Sequence, residues 1–182
     1  MDFIPTQIPD VILLSPKIFQ DSRGEFLETY RYKEFQVEGI GQQFVQDNHA
    51  GSHQGVLRGL HYQIQQAQGK LVRAVTGKIF DVAVDLRKSS PTFGISIGVV
   101  LDDEKKEQLW IPPGFAHGYY VISDWAEVSY KVTDYYAPVW ERTLLWNDPA
   151  LKIEWPLVDN NPPVLSENDF QGKRLNDADI YE

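Results

Sequence analysis

"GKLVRAVTGKIFDVAVDLR", residues 69–87, sets two runs of strand-forming residues about Thr76 and Gly77. In the second run Phe80, Val82, Val84 and Leu86 point one way and Asp81, Ala83 and Asp85 the other, the period-2 alternation of a strand. The spacing predicts a β-hairpin that closes at Thr76-Gly77. Outward from it, turn signals recur at short intervals: "DSRGE" at 21, "AGSHQG" at 50, "KSSPTFG" at 88, "IPPG" at 111, "YAPVWE" at 136. The runs between them are rich in Val, Ile, Leu and aromatics, so the chain reads as all-β with antiparallel pairing, in a sandwich, jelly roll or barrel. Helix is confined to one or two turns in "YRYKEFQVEG" (30–39), ended by Gly39, and a short start at "SENDF" (166–170).

The 182 residues suit one domain with a substantial core, taken here as 1–182. A formal charge of −9 opposes nucleic-acid binding, which needs a basic face, so an anionic ligand requires a local cationic pocket. The chain has no cysteine, which excludes thiol catalysis and thiolate metal sites and fits a reducing compartment. "MDFIPTQIPD" lacks the basic start and apolar run of a secretory signal, and no run is long enough to span a bilayer as a helix. A cytoplasmic protein without membrane association is expected.

"VLRGLHYQ" (56–63) places a cation and an imidazole inside an apolar strand. Strict alternation would put Arg58 and His61 on opposite faces, but a glycine within a strand marks a bulge, and one extra residue at Gly59 would bring both to one face. Lys70, Arg73 and Asp81 in the 69–87 segment, Tyr130 in "EVSYKVTDYY" and His117 in "IPPGFAHGYY" are further polar groups in apolar settings. Each alone has an ordinary structural explanation; Asp169, for example, completes a capping box with Ser166. Together they make an acid/base set that calls for no metal.

Pro112 to His117 resembles the second motif of cupin jelly rolls, but the segment matching the first motif's His-x-His is His61-Tyr62-Gln63, one imidazole short. His49 and His53 lie in a glycine-bearing loop-like stretch. No metal site is expected.

"SRGEFLETY", "FVQDNHA", "VLRGLHYQ", "QGKLVRAVTGKIFDVAVDLRKSSPTFG", "QLWIPPGFAHGY", "SYKVTDYYAP", "LLWNDPALKIEWP" and "LSENDF" follow one another in order. From Ile8 to Asp169 this series resembles the dTDP-4-dehydrorhamnose 3,5-epimerases. The resemblance implies a cupin-type jelly roll, a homodimer, no metal or cofactor, and dTDP-4-dehydro-6-deoxy-D-glucose as substrate. It implies His61 as base with Asp169 as orienting partner, Tyr130 as the acid on the other side of the ring, and Lys70 on the C4 oxygen. Asp81 is a supporting residue for His61 or Lys70.

For binding, it implies Arg23 and Arg58 on the diphosphate and Glu28 with Gln46, Asp47 and Asn48 on nucleotide and sugar. Phe26 and Tyr136 are implied at the thymine, and His117 and Glu141 at further substrate positions. The early strand is expected to serve the partner subunit's site. Asn168 stands where many members carry lysine, an amide in place of an ammonium. Three other readings compete: a sister enzyme of similar fold that inverts only carbon 3 or only carbon 5 or is a sugar ketoisomerase, a jelly roll that only binds nucleotide sugar, and a metal-dependent cupin. Retention of both His61 and Tyr130 favours catalysis, since binding needs neither a proton acceptor nor a proton donor.

Overall fold

A computed structural model describes residues 1–182. Thirteen strands form: β1 (Asp2–Pro5), β2 (Ile12–Ser15), β3 (Ile18–Asp21), β4 (Gly24–Leu27), β5 (Gln46–His53), β6 (Leu57–Gln63) and β7 (Lys70–Thr76). They continue as β8 (Lys78–Asp85), β9 (Ser96–Asp102), β10 (Gln108–Ile111), β11 (Phe115–Val121), β12 (Trp125–Val132) and β13 (Glu141–Thr143). Two sheets, ordered β1-β2-β10-β7-β12-β5 and β13-β6-β11-β8-β9, pack as a jelly-roll sandwich, and β3-β4 stands apart as a two-stranded ribbon. Every strand pair is antiparallel.

The predicted hairpin at 69–87 does not form. β7 lies between β10 and β12 in the first sheet, and β8 between β11 and β9 in the second. Gly77, at φ +78°, carries the chain from one sheet to the other, and its N–H donates to Asp103 Oδ2 at 2.7 Å. Alternation in 78–87 correctly divides the strand into two faces, but both are buried. Ile79 and Ala83 join Val72, Leu109, Val128, Phe115 and Tyr119 between the sheets. Val82, Val84 and Leu86 face outward, under Leu144 and Leu151 of the C-terminal segment. A strand buried on both faces takes neighbours on both edges, and here neither neighbour is β7. Asp81 therefore reaches the interior from the sheet opposite Lys70.

The helices fall where the sequence places them. α1 (Tyr32–Val37) buries Phe35 against Leu14, Leu71 and Trp110 and ends before Gly39, at φ +88°. α2 (Glu167–Phe170) is capped by Ser166, whose Oγ accepts the Asp169 N–H at 3.2 Å. The tail beyond it is docked: the Tyr62 hydroxyl donates to Asp179 O at 2.7 Å and that of Tyr181 to Gln63 O at 2.5 Å.

Candidate active site

The bulge expected at Gly59 is present. His61 pairs with His117 and Arg58 with Tyr119, so β6 advances three residues while β11 advances two. Gly59 has φ +117°, and a Cβ there would lie 2.6 Å from Gly118 Cα and 2.7 Å from His117 O. No other residue fits that backbone. The extra residue turns Arg58 and His61 to the same face, into a recess of about 180 Å³ that Lys70, His117, Tyr119, Tyr130 and Ala50 also line. The recess adjoins a cavity of about 280 Å³ lined by His61, Lys70 and Tyr130 with Gln46, Asn48, Tyr136 and Glu141 among others. β6 and β11 bring His61 and His117 from one sheet; β7 and β12 bring Lys70 and Tyr130 from the other.

His61 Nε2 lies 2.5 Å from Asp169 Oδ1. Asp169 is 2% exposed, yet its oxygens are satisfied: Gly59 N–H donates to Oδ1 at 3.2 Å and the Ser166 hydroxyl to Oδ2 at 2.7 Å. Burial pushes its pKa up, but the bonds from His61 and Ser166, the His61 charge and the Gly59 amide outweigh burial and hold the carboxyl below its ordinary 3.8. The capping residue of α2 and the bulge of β6 thus fix one carboxylate on one imidazole.

Lys70 is 7% exposed and donates to the His61 carbonyl at 3.2 Å. Burial drops its pKa to about 8, with Asp81 and Glu141 opposing the fall. His117 Nε2 meets Asp81 Oδ1 at 2.8 Å, both residues buried. Burial lowers the His117 pKa against the pull of Asp81, so its imidazole favours the neutral form. Tyr130 is partly buried, and burial raises its phenol, which stays protonated at neutral pH. Arg58 donates from Nε to Ser52 Oγ at 3.0 Å and has no carboxylate partner, leaving a free guanidinium fork in a chain of net charge −9.

Several of the expected binding residues lie elsewhere on this chain. Asp47 points to the opposite face of β5 from Gln46 and Asn48 and pairs with Lys131 at 2.9 Å, as strand alternation requires. Arg23 and Phe26 belong to the β3-β4 ribbon, where Arg23 pairs with Asp21 and Phe26 is 70% exposed. Glu28 pairs with Arg31 at 2.7 Å, and Asn168 is exposed on α2. Tyr136, whose hydroxyl donates to Glu141 Oε2 at 2.9 Å, stands at the mouth of the cavity. Gln63, in the position of the missing cupin histidine, spends its amide on the backbone of Gln66, Tyr135 and Ala137. The sequence reading overlooked Gln63, Gln68 and Tyr119 as lining residues; for Tyr119 the signal was its place two residues beyond His117 on one strand face.

The family model for dTDP-4-dehydrorhamnose 3,5-epimerase matches residues 5–177. The chain belongs to the dTDP-4-dehydrorhamnose 3,5-epimerase family. It is 59% identical over 176 residues to the dTDP-4-dehydrorhamnose 3,5-epimerase of Pseudomonas aeruginosa, covering 96% of each chain. A crystal structure of the Legionella pneumophila dTDP-6-deoxy-D-glucose-3,5-epimerase in complex with dTDP-4-keto-L-rhamnose superposes with a TM-score of 0.94 at 50% identity, covering 98% of this chain and 94% of that one. A 3'-monoepimerase from Streptomyces bikiniensis in complex with dTDP-quinovose shares the fold at a TM-score of 0.87 but only 34% identity, over 94% of this chain and 87% of that one. The epimerase fold is thus common to enzymes that invert one centre and two, and this chain's higher identities are with the 3,5-epimerases.

Proposed function

We propose that His61, Asp169, Tyr130 and Lys70 carry the family's reaction in this chain, the inversion of carbons 3 and 5 of dTDP-4-dehydro-6-deoxy-D-glucose to give dTDP-4-dehydro-L-rhamnose. The observation that carries this reading is the His61–Asp169 pair on one sheet, set across a shared cavity from Tyr130 and Lys70 on the other. Both carbons flank the C4 ketone, so their protons are acidic once the enolate oxygen is stabilised. Asp169 holds His61 Nε2, which leaves Nδ1 to take the proton. Charge then gathers on the C4 oxygen, where the Lys70 ammonium meets it. Tyr130 returns a proton from the opposite side, and the centre is inverted.

Each inversion leaves a proton on His61 and takes one from Tyr130, and exchange with water resets both. Neither oxidation nor group transfer is involved, so no cofactor enters this sequence of steps. General acid–base catalysis contributes roughly 10²- to 10⁴-fold per group, and a donor on a developing oxyanion about 10²- to 10³-fold.

Arg58 is the diphosphate anchor in this reading, with His117 and Glu141 as further substrate contacts and Asp81 supporting His117. Arg23 and Phe26 on the β3-β4 ribbon, with Glu28 just after it, lie away from the cavity of their own chain and fit a homodimer in which the ribbon completes the partner's site, whereas Asp47, on β5 and paired with Lys131, is not served by the ribbon. The ribbon's exposed Phe19 and Phe26 are apolar surface that a second copy would cover. The net negative charge argues against nucleic acid as a partner, and a cytoplasmic setting accords with a nucleotide-sugar substrate; no helix is long and apolar enough to cross a membrane. The test is conversion: with dTDP-4-dehydro-6-deoxy-D-glucose, proton couplings of the product should report inversion at both carbons. Unaltered substrate would contradict the reading.

A further inference from the structure

Two buried polar atoms have no hydrogen-bond partner in the protein, Asp81 Oδ2 and the Tyr119 hydroxyl. Asp81 is partly accounted for by His117. Tyr119 is not. Its ring is 3% exposed and packs in the core between the sheets, a place a phenylalanine would fill equally well without stranding a hydroxyl. An unsatisfied buried hydroxyl is destabilising, so the oxygen calls for a partner that arrives from outside the fold.

The surroundings say what that partner is. On β11 Tyr119 is the direct cross-strand neighbour of Arg58, so their side chains rise side by side from the same face. Arg58 keeps its terminal nitrogens free of any ion pair, and Ser52 already holds its Nε. Tyr119 faces the recess that contains Arg58 and Tyr130, and no carboxylate lines it. Burial raises the Tyr119 phenol, which keeps its proton and remains a donor. A wall of donors beside an unpaired guanidinium suits a group that only accepts, as phosphate oxygens do.

We propose that Tyr119 is a ligand-contacting residue that acts with Arg58, its hydroxyl donating a hydrogen bond to a diphosphate oxygen of the bound nucleotide sugar. The inference rests on the proposed function and adds one residue to it. Tyr119→Phe is the test, read by calorimetric titration with dTDP, steady-state kinetics and thermal melting of the ligand-free enzyme. The dTDP dissociation constant and KM should each rise about tenfold while kcat moves less than about threefold, and the ligand-free melting temperature should hold or rise.

Unchanged dTDP affinity would overturn the inference, since an enclosed water would then satisfy the hydroxyl. A loss of kcat at unchanged affinity would overturn it in favour of proton transfer, and a lower ligand-free melting temperature in favour of a structural bond. If the unaltered enzyme neither bound dTDP nor turned over the keto-sugar, the proposed function itself would fail. The Tyr119 inference fails alone when the unaltered enzyme does both and the variant matches it.

Discussion

Lys70 donates a hydrogen bond to the main-chain carbonyl of His61, 3.2 Å away, although the two residues belong to opposite sheets. The proposed base and the proposed enolate-stabilising cation are thereby held in one frame. The ammonium is buried between the sheets, and its protonation state responds to pH in a way that a surface lysine's does not.

With its pKa at about 8, Lys70 carries its charge below that pH and loses it above. The rate should therefore fall on the alkaline side from about pH 8, and Lys70→Met should lower kcat roughly 10²- to 10³-fold and remove that limb. Stability moves the other way. The native state holds this proton less tightly than the unfolded chain, so the lysine's contribution to stability grows as pH rises from about 8 towards 10.5. A pH–rate profile and denaturant unfolding at pH 7.5 and 9.5, with and without the substitution, check both signs.

Asp169→Asn preserves shape but removes the carboxylate that fixes the His61 ring. We expect kcat to fall roughly 10²- to 10⁴-fold with KM changed far less, because the interaction matters most as the imidazole gains its proton. Initial rates over a substrate series distinguish this from a binding defect, in which KM alone would rise.

Tyr130→Phe should separate proton removal from inversion. His61 still takes a proton, so label exchange at the retained configuration continues in part, while inverted product falls by roughly 10² or more. Equal loss of exchange and inversion would place Tyr130 before the first proton transfer.

Gly59→Ala should destabilise the protein by about 2–4 kcal/mol, through a strained left-handed backbone and a collision with Gly118 and the His117 carbonyl. Chemical denaturation measures this. Activity should fall as well, since the bulge is what sets Arg58 beside His61.

That bulge was legible in the sequence because a glycine between two displaced polar residues has a local physical meaning. The faces of 78–87 were legible for the same reason, alternation being a property of one strand. Which strand lies beside it is not local: Thr76-Gly77 carries a hairpin signature, yet β7 and β8 pair within different sheets, and only the packing of the whole sandwich decides that. The cluster of His61, Lys70, His117 and Tyr130 could be named one residue at a time but not assembled, since its members span 70 positions in sequence. Asp47 shows the reverse limit. Its neighbours Gln46 and Asn48 line the cavity, and motif position alone does not say that the middle residue of three in a strand faces away. Tyr119 shares a strand face with His117, but its unpartnered hydroxyl is visible only once the core is packed around it.

The central claim is that one base, His61, serves both carbons, and deuterium incorporation tests it most directly. The enzyme and its His61→Asn variant are incubated in deuterated water with dTDP-4-dehydro-6-deoxy-D-glucose, and label at carbons 3 and 5 is counted by NMR. We predict label at both carbons with the unaltered enzyme and at neither with His61→Asn. Label persisting at either carbon in the variant would mean that another group removes that proton, and the single-base account would be wrong.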